Sequence, residues 1–187
     1  MPQGGTYPEL PEKFCVVNPA ASKLERCWFA EDYAAVIDYC AERYGIQVVI
    51  TGGEAGFEIE LASRVEELVT SSVINLVGKT SLLTLAAILS KAEFCLAPDT
   101  GPAHIANAMN TPVIGLYGVV SSQLSGPYLY KKYVIDRFEH AVKDILKKDP
   151  EQIPWRTRVH DRKAMALIRK EDVMKMIDRL MADQSPE

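Results

Sequence analysis

Five short apolar runs, each followed by a stretch of helical periodicity, constrain this 187-residue chain more than any other feature. The runs cover residues 14–18 (FCVVN), 47–50 (QVVI), 73–77 (VINLV), 94–97 (FCLA) and 113–117 (VIGLY). Each is too short for a helix and continuously apolar, as strands buried on both faces are. Between them, residues 29–44 place Tyr33, Val36, Ile37 and Cys40 at helical spacing, and Gly45 ends the pattern. Residues 58–69 and 81–91 repeat it, the latter with Ser81 or Thr80 as N-cap, and residues 102–109 open a fourth helix. Strand–helix–strand units of this kind require a parallel sheet, right-handed crossovers and helices on both faces. The expected fold class is therefore α/β, a doubly wound, Rossmann-like parallel sheet.

The alternation stops near residue 120. Residues 121–133 look like a loop, 134–149 fit one helix, and 170–182 fit a final amphipathic helix carrying Val173, Ile177 and Leu180 on one face. Residues 1–13, with Gly4-Gly5 and three prolines, read as a tail or linker. One domain over 14–187 is the expected organisation, with 120–187 as its C-terminal loop and helices. No apolar run approaches the ~20 residues of a membrane span, and no basic-then-apolar leader opens the chain.

Cys15, Cys27, Cys40 and Cys95 show no C-x-x-C spacing. They read as buried reduced thiols, which suits a cytoplasmic protein. The net charge of −4 argues against a general nucleic-acid binder. That charge is uneven: residues 1–130 hold 7 Lys/Arg against 14 Asp/Glu, whereas 131–179 hold 14 against 9. The basic third either faces an anionic surface or is a set of solvated helix faces.

In an open α/β sheet, ligands bind beyond the carboxyl ends of the strands. The most informative loop there follows the fourth run: Asp99-Thr100-Gly101-Pro102-Ala103-His104. Pro102 suits a first helical turn. Gly101 permits close approach or unusual dihedrals. The amides of 101–104, with the positive helix end behind them, would form a diphosphate site needing no metal. Thr100 adds a hydroxyl, His104 could reach a phosphate oxygen, and Asp99 suits sugar hydroxyls. The plainer alternative is a capped helix with a surface histidine. After the first run, Ser22, Lys23 and Arg26 offer a hydroxyl and two cations, or are ordinary surface groups. Glu58 could meet a ribose or simply favour a helix start, and Gly78-Lys79-Thr80 could border an adenine or form a plain junction. Neither G-x-G-x-x-G nor a P-loop is present.

Residues 96–118 (LAPDTGPAHIANAMNTPVIGLYG) resemble the signature D-[ST]-G-x-x-H-x-A-x-A-x-x-x-P-x-[IV]-x-[LV]-[FY]-G of glycosyltransferase family 9, the ADP-heptose:lipopolysaccharide heptosyltransferases. Residues 17–28 (VNPAASKLERCW), 49–58 (VITGGEAGFE) and 77–92 resemble the family's other landmarks in order and spacing. The resemblance implies the C-terminal, donor-binding half of a two-domain GT-B enzyme. It implies inverting, metal-independent transfer of heptose from ADP-heptose to a lipopolysaccharide inner-core or lipid A acceptor, without a cofactor. Asp99 would contact the sugar, while Thr100, Gly101, Pro102 and His104 hold the diphosphate. Arg26, where the family usually has Lys, would meet phosphate beside Ser22; Glu58 would take the ribose and Thr80 would sit by the adenine. The general base is expected on a missing N-terminal domain, so no catalytic residue is assigned within this chain. A cytoplasmic location, peripheral on the inner face of the inner membrane, goes with that acceptor. A stand-alone nucleotide-sugar module and a UDP-sugar GT-B relative are the competing readings.

Overall fold

The computed structural model describes residues 9–184. Six strands form one sheet: β1 (Phe14–Val17), β2 (Gln47–Ile50), β3 (Val73–Asn75), β4 (Cys95–Pro98), β5 (Val113–Tyr117) and β6 (Val134–Asp136). Their order is β3-β2-β1-β4-β5-β6, and every neighbouring pair is parallel. The helices α1 (Ala30–Tyr44), α2 (Gly56–Leu68), α3 (Leu82–Leu89) and α4 (Gly101–Ala108) connect the first five strands. All five expected strands and four expected helices are present, with ends shifted by one or two residues at most positions.

Two cores sandwich the sheet because successive strand residues point to opposite faces. Cys15, Val17, Val48, Ile50, Leu96 and Ile114 face one core, covered by α1, α2 and the C-terminal helices. Phe14, Val16, Val49, Cys95, Ala97 and Val113 face the other, covered by α3 and α4. With both faces covered, polar residues are confined to strand ends, Gln47, Asn75 and Asp136, which is why the strands read as mostly apolar runs. All four cysteines are buried and unpaired. Burial pushes the Cys15 and Cys27 thiols up and the Cys95 thiol to about 12, which disfavours the thiolate at these positions.

Two expectations beyond residue 120 are corrected. The 121–133 loop contains a short helix, α5 (Ser122–Ser125), whose entry is capped by Ser121 Oγ accepting the Gln123 amide at 3.2 Å. The single helix expected over 134–149 is a strand and then a helix. Val134–Asp136 joins the sheet as β6, and α6 (Phe138–Ala141) continues into a π-helical turn, Val142–Leu146. Asp136 makes the break: its carboxylate accepts the Phe138 amide at 2.7 Å and the Ser122 amide at 2.7 Å. Val134, Phe138 and Val142 satisfy helical spacing, but so short a strand leaves no period of its own to oppose it.

The chain closes with α7 (Lys163–Ala166) and α8 (Lys170–Gln184), slightly longer than the 170–182 expected. Residues 1–8 of the expected tail lie outside the described residues. Leu10 packs against the second core, and Lys13 donates from Nζ to the Tyr44 carbonyl at 3.0 Å. No described helix is long and apolar enough to cross a membrane.

Candidate functional site

The strand order reverses between β1 and β4, which opens a crevice beyond their carboxyl ends. The loops from those two strands meet there. A 3-10 turn, Leu24–Arg26, follows β1 and aims Arg26 across the crevice. Asp99 follows β4 directly. Arg26 Nη1 lies 3.2 Å from Asp99 Oδ2, and both side chains are only 13% exposed. The Nε of Arg26 is buried without a hydrogen-bond acceptor. Two residues assigned by the resemblance to different parts of a donor thus form a direct ion pair. At this burial the attraction is set against the cost of desolvating both charges, and removing either partner would leave the other uncompensated.

Helix α4 begins at Gly101, three residues after the end of β4, with Thr100 in the N-cap position. The Thr100 side chain makes no capping hydrogen bond, so its hydroxyl is uncommitted. Two details differ from expectation. The Ala103 amide turns back onto the Thr100 carbonyl at 3.2 Å, so fewer amides face the crevice than the 101–104 run suggests. Gly101 does not use a left-handed φ, and a Cβ added to it would meet nothing within 4 Å. Its backbone conformation is one any residue adopts. Pro102 sits in the first turn as expected, and His104 lies one turn in, exposed.

The neighbouring loops complete the rim. After β2, Glu58 Oε2 accepts the Gly53 amide at 2.7 Å, which ties the Gly52-Gly53 turn to the first turn of α2. A Cβ on Gly53 would come within 3.1 Å of that carboxylate. After β3, Ser81 is the N-cap of α3 and accepts the Thr84 amide at 3.1 Å, leaving Thr80 outside the cap. Gly78 there holds φ 71°, where side chains are strained. Ser22 is exposed on the β1 loop. Arg26 and Asp99 are in contact; Glu58 in the first turn of α2, His104 in α4, and Ser22 and Thr80 on loops make no hydrogen bond or ion pair with either of them among the described residues.

The C-terminal segment supplies residues that the sequence did not point to. It returns across the β1 loop and is fastened at three points. His160 Nδ1 lies 2.8 Å from Glu25 Oε1, Arg162 stacks over Phe29 at 4.6 Å, and Trp28 Nε1 donates to the Ile168 carbonyl at 3.0 Å. Trp28 is fully buried and packs edge-on against Tyr33 at 5.1 Å. The strap therefore holds the turn that carries Arg26. These partners are over 130 residues apart in sequence, so no local pattern signals them.

Among the described residues, no group of three His, Cys, Asp or Glu side chains is placed to hold a metal ion.

Comparisons with known proteins agree with this architecture. The chain is 32% identical over 172 residues to the lipopolysaccharide core heptosyltransferase OpsX of Haemophilus influenzae, which covers 92% of this chain and 49% of that protein. A crystal structure of a family 9 glycosyltransferase from Veillonella parvula superposes with a TM-score of 0.75 at 25% identity, covering 92% of this chain and 47% of its own. A structure of the E. coli heptosyltransferase WaaC with ADP superposes at 0.64 with 23% identity, over 90% of this chain and 44% of that one. The chain spans about half the length of the curated relatives it matches across most of its residues. The model of glycosyltransferase family 9 (heptosyltransferase) matches residues 3–153, and the chain belongs to that family.

Proposed function

We propose that this chain is the donor-binding half of a heptosyltransferase that moves heptose from ADP-heptose to a lipopolysaccharide inner-core acceptor. The observation that carries the reading is the Arg26–Asp99 pair at the reversal of strand order. A cation and a carboxylate at one point suit a ligand that is anionic at one end and rich in hydroxyls at the other. The diphosphate takes Arg26, the Thr100 hydroxyl and the N-terminal end of α4. The unpartnered Arg26 Nε is a buried donor that a phosphate oxygen satisfies. Asp99, relieved of Arg26, accepts from sugar hydroxyls. Glu58 takes the ribose, Thr80 borders the adenine, and Ser22 and His104 close on the phosphates.

Transfer is inverting. An acceptor oxygen attacks the anomeric carbon from the face opposite the diphosphate, the bond to the β-phosphate oxygen breaks, and ADP leaves with that electron pair. The acceptor proton goes to a base on the other half of the protein. Charge on the departing diphosphate is met by Arg26 and the α4 end, a metal-independent arrangement. With a lipid-anchored acceptor, the protein works in the cytoplasm, peripheral to the inner membrane.

The test is a nucleotide titration followed by NMR. ADP is expected to shift the amide signals of Gly101, His104 and Glu58, and UDP to shift them much less. Arg26→Ala should weaken ADP binding by roughly tenfold or more, the scale of one lost charge-assisted hydrogen bond. Absence of any shift at millimolar ADP, or a preference for UDP, overturns the assignment.

A further inference from the structure

The two aromatic side chains most exposed among the described residues are distant in sequence and flank one lysine. Tyr128 is 77% exposed and Trp155 is 63% exposed. Lys131 Nζ sits 5.0 Å from the Tyr128 ring centroid. The same lysine and Trp155 line a hollow of about 490 Å³ with Ser122, Gln123 and Val134. Leu129, next to Tyr128, is also half exposed. Arg156 and Arg158 follow Trp155, and like Lys131 they are exposed with no ion pair among the described residues. Acids stand near as well: Asp136 is tied to the Ser122 amide at 2.7 Å, Glu139 lines an adjoining hollow with Trp155, and Glu151 precedes Trp155 by four residues.

Exposed Trp and Tyr beside Lys and Arg form the composition of a surface that meets a bilayer at headgroup level, where an amphipathic ring has one end wet and one apolar. Tyr, Trp and Arg are also enriched at protein–protein interfaces, so it is the central lysine, a type depleted there, that favours lipid over a protein partner. The cations of this face, Lys131, Arg156 and Arg158, come from the segment 131–179, whose 14 Lys/Arg exceed its 9 Asp/Glu, and exposed cations of this kind are attracted to an anionic plane.

We propose that this face docks on an anionic phospholipid bilayer. Trp155, Tyr128 and Leu129 enter the headgroup layer, and Lys131, Arg156 and Arg158 meet lipid phosphates. The proposal deepens the peripheral placement given above and rests on it, while the donor site is tested separately by ADP.

Trp155 is its own reporter, because the other tryptophan, Trp28, is fully buried and marks the intact fold. The 187-residue chain is mixed with vesicles of phosphatidylcholine alone or with phosphatidylglycerol added. Co-sedimentation and a blue shift in tryptophan emission are expected with the anionic vesicles only, falling as salt rises. Trp155→Ala should remove the shift and weaken sedimentation, and Lys131→Ala should weaken it about fivefold. Both variants should keep wild-type ADP binding, which separates loss of the membrane face from loss of the donor site. Equal binding to both vesicle types, no binding to either, or unchanged sedimentation of both variants overturns the proposal.

Discussion

Arg26 and Asp99 sit 73 positions apart and meet only because β1 and β4 are neighbours in the sheet. Either residue alone reads as a surface charge; together they mark the crevice. A second residue-level constraint lies at Gly118, the last position of the family signature. A Cβ there would fall 2.5 Å from the Ala164 carbonyl oxygen, so α7 is seated against bare backbone. Gly118→Ala has to push that backbone away and should cost about 1–3 kcal/mol, the range for overpacking. Urea unfolding of the variant measures it, and a midpoint equal to wild type would show that α7 yields freely. Phe29 gains a reason too: its ring carries the Arg162 guanidinium of the strap.

At the scale of elements, one carboxylate adds polar bonds to the apolar packing of α8 on α1. Asp178 Oδ1 accepts from Tyr39 Oη at 2.6 Å and from Tyr44 Oη, and lies 3.4 Å from Arg43 Nε. Burial works against the charged form of Asp178, but the two phenols and Arg43 outweigh it and hold its carboxyl below the usual range. At the start of α8, the hydrogen bond from Arg137 does the same for Asp172, against a smaller burial effect. Both acids have folded values below the unfolded one. Their stabilisation is therefore complete above about pH 4 and is lost as pH falls through the folded values. Tyr39 has the opposite sign: burial, then Asp178, pushes its phenol up to about 12. Its contribution is complete below about pH 10 and is lost as pH rises through the folded value. Stability measured by urea midpoint against pH should fall at both extremes, and Asp178→Asn should flatten both limbs. A variant with the wild-type profile would remove α8 docking as the cause.

The same scale shows why β6 was missed. Three residues cannot display a period of two, and the apolar spacing through Val142 fits a helix equally well. The strand exists because the open edge of β5 offers hydrogen bonds, the Arg137 amide to the Tyr117 carbonyl at 2.7 Å among them. The first five strands were legible because burial on both faces writes itself into consecutive residues.

At the scale of the molecule, charge is uneven along the chain, with an acidic excess over residues 1–130 and a basic one over 131–179. On the donor-half reading, these residues alone should bind ADP weakly and show no heptose transfer above background. Adding a protein that supplies the other half should restore turnover. A radiolabelled transfer assay checks it, and turnover by this chain unaided would place the base here.

The sequence by itself determined the parallel α/β architecture, the first four helices and the buried thiols, because each is written in a local period, and a signature of adjacent residues named the candidate loops. Only the tertiary structure decided three things: that Arg26 and Asp99 form one charged pair, that residues 154–169 strap the Arg26 turn in place, and that Tyr128, Lys131 and Trp155 share a surface. Each depends on groups far apart along the chain, brought together by strand order and by packing over the sheet, and local periodicity carries no record of such pairings.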